Sequence, residues 1–162
     1  VDPYYLTYKA EKMGYKPNLI LSSRKINNGM PAYIAKKAIR LLVDNDKNIK
    51  DSNVLVMGLT FKENCPDIRN TKVVDIIEEL KDFACQVDVY DPWVDKDEEK
   101  RIYQHGLIDN PFDSDKKYSA IIVAVAHQQF VELKDSDYAA ISEGKPIVVD
   151  VKGIVENPSW KL

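Results

Sequence analysis

Two cations share one long loop, and they are the first residues in this sequence whose types and spacing suggest chemistry. The run Gly58-Leu59-Thr60-Phe61-Lys62-Glu63-Asn64-Cys65-Pro66-Asp67-Ile68-Arg69-Asn70-Thr71 lies between a short apolar segment, Val54-Leu55-Val56-Met57, and a helical pattern. Lys62 offers a mobile point charge, and Arg69 a planar fork that can grip a phosphate or carboxylate with two parallel bonds. Both sit close to a helix N-terminus, which itself favours anions. The loop exceeds the few residues usual between strand and helix, and long ordered loops are often functional. A phosphorylated ligand is the physical expectation. The plainer reading is that Lys62 and Arg69 pair with Glu63 and Asp67 on the surface, and the residues by themselves leave both open. The loop is not a dinucleotide fingerprint, because that turn needs three closely spaced glycines and only Gly58 is present.

The elements that must hold this loop alternate strictly. Strands are expected at Val54–Met57, Gln86–Tyr90, Ala120–Val125 and Ile147–Asp150, and helices at Thr71–Phe83, near Lys96–Gln104, and near Ser136–Ser142. The third strand is apolar throughout, as in a parallel strand covered on both faces. Such alternation predicts an α/β fold, a Rossmann-like parallel sheet whose ligands bind beyond the carboxyl ends of its strands. His127 and Asp91 fall at such ends. A single histidine without a partner carries little, and Asp91-Pro92 reads as a turn.

Ahead of this lies a helical arm. Asp2 and Pro3 suit a helix start, with Gly14 as the stop. A second helix is expected from Asn18 to Val43, with apolar residues at three-, four- and seven-residue spacings and a kink at Pro31. The polar stretch Asp44–Asp51 divides the chain into an arm, residues 1–50, and a globular domain, residues 51–162. At 1.5 Å rise per residue the second helix would be about 39 Å long, more than the domain alone can cover. A two-fold partner is the simplest cover for its apolar stripe.

Charge and composition narrow the classes. Residues 1–52 carry ten Lys/Arg against five Asp/Glu, and the remainder thirteen against twenty-one. The acidic body argues against a nucleic-acid surface. No apolar run approaches the roughly 18–20 residues of a membrane helix. Cys65 and Cys85 do not make a disulfide framework, so a reducing cytoplasm is expected. The start at Val1, with no charged-then-apolar leader, reads as a cut within a longer protein.

Several segments together resemble the UDP-glucose/GDP-mannose dehydrogenase family: Phe61-Lys62 with Asp67-Ile68-Arg69, the opening Val1-Asp2-Pro3-Tyr4-Tyr5-Leu6, Tyr90-Asp91-Pro92-Trp93-Val94-Asp95, and Val123-Ala124-Val125-Ala126-His127-Gln128-Gln129-Phe130. They are most similar to a branch acting on UDP-N-acetylglucosamine or UDP-N-acetylgalactosamine in surface polysaccharide synthesis. The resemblance implies an NAD-dependent enzyme that oxidises a sugar C6 alcohol to a carboxylate in two steps through a cysteine thioester. It implies a C-terminal UDP-binding domain and a homodimer through the long helix, Asn18–Val43. It assigns Phe61 and Lys62 to the UDP-N-acetylhexosamine substrate, Arg69 to NAD bound by another domain, and Asp2 to helping water attack the thioester. For Lys62 and Arg69 it favours function over surface pairing.

The family's cysteine lies four residues before the aspartate that Asp2 matches, ahead of Val1, and the NAD fingerprint lies further upstream. Neither Cys65 nor Cys85 takes that cysteine's place, and the isolated chain is expected to be inactive. Lys152 aligns only loosely with a family arginine and reads as an ordinary exposed lysine. The alternative is a non-catalytic nucleotide-binding or dimerisation module, against which the Asp2-Pro3-Tyr4-Tyr5-Leu6 segment argues.

Overall fold

A computed structural model describes residues 2–162, excluding the Asp2 side chain. Its five strands are β1 (Asn53–Met57), β2 (Gln86–Tyr90), β3 (Ala120–Val123), β4 (Val148–Asp150) and β5 (Trp160–Lys161). All pairings are parallel, in the order β2-β1-β3-β4-β5. Because side chains alternate across a sheet, Val54, Val56, Ile122 and Val149 face one layer, and Leu55, Met57, Ile121, Val123 and Val148 the other. Both layers are apolar, which is why these strands carry apolar runs rather than alternation.

The first layer is built by α2 (Asn18–Asp44) and α3 (Val73–Asp82). On α3, Val73, Ile76, Ile77 and Leu80 make a stripe of helical period, and all four are buried. The helix α2 is continuous through Pro31, whose ring is buried. From Ile34 to Leu42 it docks on the sheet, with Ile34, Ala35, Ala38, Ile39 and Leu42 in the same core as α3. Its first half is different: Leu19 is 81% and Ile26 66% exposed. It stands beside α1 (Asp2–Lys12), which begins at Asp2, one residue before the start expected with Asp2 as cap.

The second layer holds Tyr118, Phe130, Tyr138 and Ile141, contributed by α5 (Gln128–Val131), α6 (Asp135–Ala140) and flanking loops. A further helix, α4 (Lys96–Ile102), is capped by the Asp95 carboxylate, which accepts the Glu98 N–H. It ends short of the expected Gln104, which adopts a left-handed φ of 60°.

Three elements were not anticipated: a 3-10 turn at Pro111–Asp113, α5, and β5. Each is at most four residues, too short to show a period. β5 is fixed by tertiary contacts, with Trp160 paired to Val149 and set edge-on against Tyr33 of α2. The third strand also stops at Val123 rather than Val125, where it closes over Gly58. No described helix is long and apolar enough to cross a membrane.

Candidate functional site

The strand order reverses at β1, with β2 on one side and β3 on the other, so the loops leaving β1 and β3 part and open a crevice. Gly58 begins the loop after β1. Its φ is +95°, and a Cβ there would lie 2.5 Å from the Cβ of Val125, so only glycine lets the two loops cross this closely. The Gly58 N–H donates to the Tyr90 carbonyl at 2.8 Å.

Beyond Gly58 the loop is bound along its length. Leu59 N–H and Thr60 N–H both donate to Asp91 Oδ2, at 2.6 and 3.1 Å. The Thr60 hydroxyl donates to the Lys62 carbonyl, and Phe61 N–H crosses the loop to the Asp67 carbonyl. Ile68 is fully buried, and the Tyr103 hydroxyl donates to its carbonyl at 2.8 Å. At the far end Thr71 Oγ1 accepts the first helical N–H of α3, from Val73. The segment is an ordered scaffold, which explains how it can exceed the usual connection length.

Two carboxylates set its electrostatics. Burial pushes the Asp91 carboxyl up, but the hydrogen bonds from His127, Leu59 and Trp93 outweigh it and hold the group below its ordinary range. Asp91 is therefore an ionised acceptor within the fold. Asp67 accepts the Arg69 fork, Nε to Oδ1 at 2.9 Å and Nη2 to Oδ2 at 2.8 Å. That bond, reinforced by the Arg69 N–H, draws its carboxyl to about 2.

The sequence-derived residues separate on this frame. Phe61 is 62% exposed at the crest of the loop, and Lys62 beside it is exposed. Among the described residues no ion pair includes Lys62, so the surface pairing with Glu63 is not formed. Arg69 does pair with Asp67, as the plainer reading had it. Asp2 belongs to α1, but its side chain lies outside the described residues, and so does the role expected of it.

Two clefts meet at Phe61. One, of about 510 Å³, lies between α2 and the carboxyl ends of β1, β3 and β4, and is lined by Arg24, Asn27, Phe61, Thr71, Val125 and Lys152. The other, of about 960 Å³, lies between α1, α2 and the start of α3, where Tyr4, Tyr5, Tyr8 and Lys72 face Arg24 and Phe61. Arg24 thus belongs to both walls; its guanidinium lies 4.9 Å from the Tyr4 ring centre, and its Nε is buried without a partner. Lys152 lines the first cleft, a placement that its loose alignment hinted at but its residue type did not.

Sequence reasoning missed the buried network that holds the loop. His127, fully buried, joins Asp91, Thr60 and Asn64 in one network. The signal was two strand-end residues on opposite sides of β1, which meaningfully combine only once the sheet order is known.

A family model for the UDP-glucose/GDP-mannose dehydrogenase family, UDP binding domain, matches residues 55–157. The chain belongs to this family. Over 155 residues it is 43% identical to a UDP-N-acetyl-D-glucosamine 6-dehydrogenase of Salmonella typhi, covering 96% of this chain and 36% of that protein. Against the enzyme of the same description from Pseudomonas aeruginosa it is 40% identical over 162 residues, covering all of this chain and 38% of the relative. In structure it is similar to a UDP-D-MAnNAc dehydrogenase of Pyrococcus horikoshii, with a TM-score of 0.82 at 25% identity, over 99% of this chain and 36% of that one. The chain therefore spans little more than a third of the relatives it matches.

A nicotinamide dinucleotide does not fit the crevice after β1. Gly58 is the one glycine in that turn, and the Leu59 and Thr60 N–H groups that could meet a pyrophosphate already donate to Asp91.

Proposed function

We propose that this chain is the substrate-nucleotide-binding part of an NAD-dependent UDP-N-acetylhexosamine 6-dehydrogenase, a cytoplasmic enzyme of surface polysaccharide synthesis that oxidises the sugar C6 alcohol to a carboxylate. One observation carries the reading: an ordered loop at the sheet's switch point puts Phe61 in the wall of a cleft at the strand ends, and the next residue, Lys62, is exposed and in no ion pair among the described residues. Lys62 supplies a positive charge to the diphosphate, and Phe61 an apolar face to the sugar or base. Arg69 is the cation offered to NAD, which other parts of the enzyme hold, and Asp2 the carboxylate that assists hydrolysis of the thioester. The activities of these relatives support the substrate class.

Calorimetric titration of the chain with UDP-N-acetylglucosamine and with UDP at low salt tests this. Saturable binding is expected. Lys62→Ala should weaken it by about 10- to 100-fold, the value of one charge-assisted hydrogen bond. Arg69→Ala should leave it unchanged. Absence of saturable binding to the unmutated chain, or an unaffected Lys62→Ala variant, would overturn the assignment of this loop to the nucleotide.

The same proposal includes a homodimer through Asn18–Val43. Its support is the apolar surface of the first half of α2 and of α1, where Leu19, Ile26, Tyr5 and Leu6 are all exposed. Light scattering behind size exclusion should give twice the 18.5 kDa chain mass; a monomer at high concentration would sink the dimer.

A further inference from the structure

His127 is buried at 0% exposure, yet neither of its nitrogens is idle. Nδ1 lies 3.0 Å from the Asn64 backbone nitrogen, which has a proton to give, so Nδ1 is the acceptor and the ring proton sits on Nε2. Nε2–H then points at Asp91 Oδ2, 3.0 Å away, and at Thr60 Oγ1, 3.1 Å away. The Thr60 hydroxyl proton is directed to the Lys62 carbonyl, which leaves its oxygen free to accept from the ring. Asn64 answers through its side chain, whose Oδ1 accepts the N–H of Gln128, the residue after the histidine. One imidazole therefore grips the loop at Thr60 and at Asn64, and the two residues of interest between them, Phe61 and Lys62, are carried on the span it holds.

The surroundings keep water from competing. Trp93 stacks near the ring, centroids 6.3 Å apart, and Phe130 meets it edge-on at 5.3 Å. Asp91 holds the orientation from the opposite side while binding Leu59 and Thr60 itself. With both nitrogens engaged and no exposed edge, the ring has no free site for a substrate atom. Its part is positional.

Resting on the nucleotide reading of the loop, we propose that His127, oriented by Asp91, is a positioning residue for that site. It fixes the Thr60–Asn64 span before the ligand arrives, so that Phe61 and Lys62 are not ordered at the expense of binding free energy.

The experiment compares the chain with H127Q and H127N, reading amide hydrogen exchange by NMR and UDP affinity by calorimetry. Glutamine can still donate to Asp91 but gives up the Asn64 N–H; asparagine keeps an acceptor for that N–H. The unmutated ring should show the nitrogen-15 pattern of the Nε2–H tautomer. In H127Q the Asn64 amide should exchange at least about tenfold faster while β1 and β3 amides stay protected, and UDP should bind about 10- to 100-fold more weakly. H127N should recover part of both losses, which a general loss of fold would not do. If the parent chain binds UDP and both variants bind within twofold of it, the positioning role is wrong and the nucleotide site stands. Unchanged Asn64 exchange in H127Q also overturns the clamp. A parent that fails to bind UDP removes the nucleotide reading and the positioning role together.

Discussion

Asp91→Ala is expected to lower the free energy of unfolding by about 3–5 kcal/mol, because it takes a charged acceptor from several buried donors at once, at about 1–3 kcal/mol for each one left unsatisfied. The carboxylate is the sole acceptor that the described structure gives to Leu59 N–H, and it also takes Thr60 N–H, His127 Nε2–H and, through Oδ1, Trp93 N–H. Alanine leaves the buried Leu59 and Thr60 N–H groups unmatched, each carrying its own desolvation cost, and leaves His127 Nε2–H with Thr60 Oγ1 alone. Asp91→Asn should be milder but not neutral. Its one oxygen can serve the three donors at Oδ2, and its amide nitrogen then faces the Trp93 N–H, donor against donor. Urea denaturation of the two variants beside the parent checks the order. An Asp91→Ala loss below about 1 kcal/mol, the worth of an ordinary exposed pair, would show that the network contributes little.

Gly58→Ala is expected to cost about 2–5 kcal/mol, adding overpacking to a left-handed backbone strained by a Cβ. Its added carbon meets Val125 Cβ at 2.5 Å, Val125 Cγ2 at 2.8 Å and Val125 N at 3.0 Å. These are not flexible ends that can swing aside. For that reason Val125→Ala should fail as a second-site rescue, because alanine retains the nearest atom. The same denaturation measurement decides it: a double variant as stable as Val125→Ala alone would mean that the loops separate easily, contrary to the packing described.

The parts of the fold legible in sequence were those with a period or a punctuation mark. β2 was bounded correctly at Gln86 and Tyr90 because Asp91-Pro92 ends it, and α3 was visible through Val73, Ile76, Ile77 and Leu80. What escaped depends on neighbours far along the chain. β5 has two residues and owes its place to Val149 and Tyr33. The docking of α2 from Ile34 to Leu42 was hidden because an apolar stripe does not say whether a partner or the same chain covers it. For the site, motif resemblance and loop chemistry picked out Phe61, Lys62 and Arg69. His127 and Asp91 were each weighed alone and set aside. They follow strands that flank β1 on either side, and their meeting at Thr60 is a product of strand order, which no local pattern encodes.

The fork between Arg69 and Asp67 has a consequence in proton linkage. The depressed Asp67 carboxyl stays ionised, and the pair intact, from neutral pH down through its ordinary value of 3.8, and is lost only as pH falls through about 2. An anion that takes the Nε/Nη2 edge of Arg69 must displace this carboxylate, so the encounter there is an exchange of one anion for another. At neutral pH the released Asp67 remains charged and the exchange moves no proton. Between about 2 and 3.8 the freed carboxylate would regain its ordinary proton affinity, and capture of the anion would draw a proton from solution with it. The fork thus makes Arg69 a cation whose exchange is proton-neutral wherever a cell would use it.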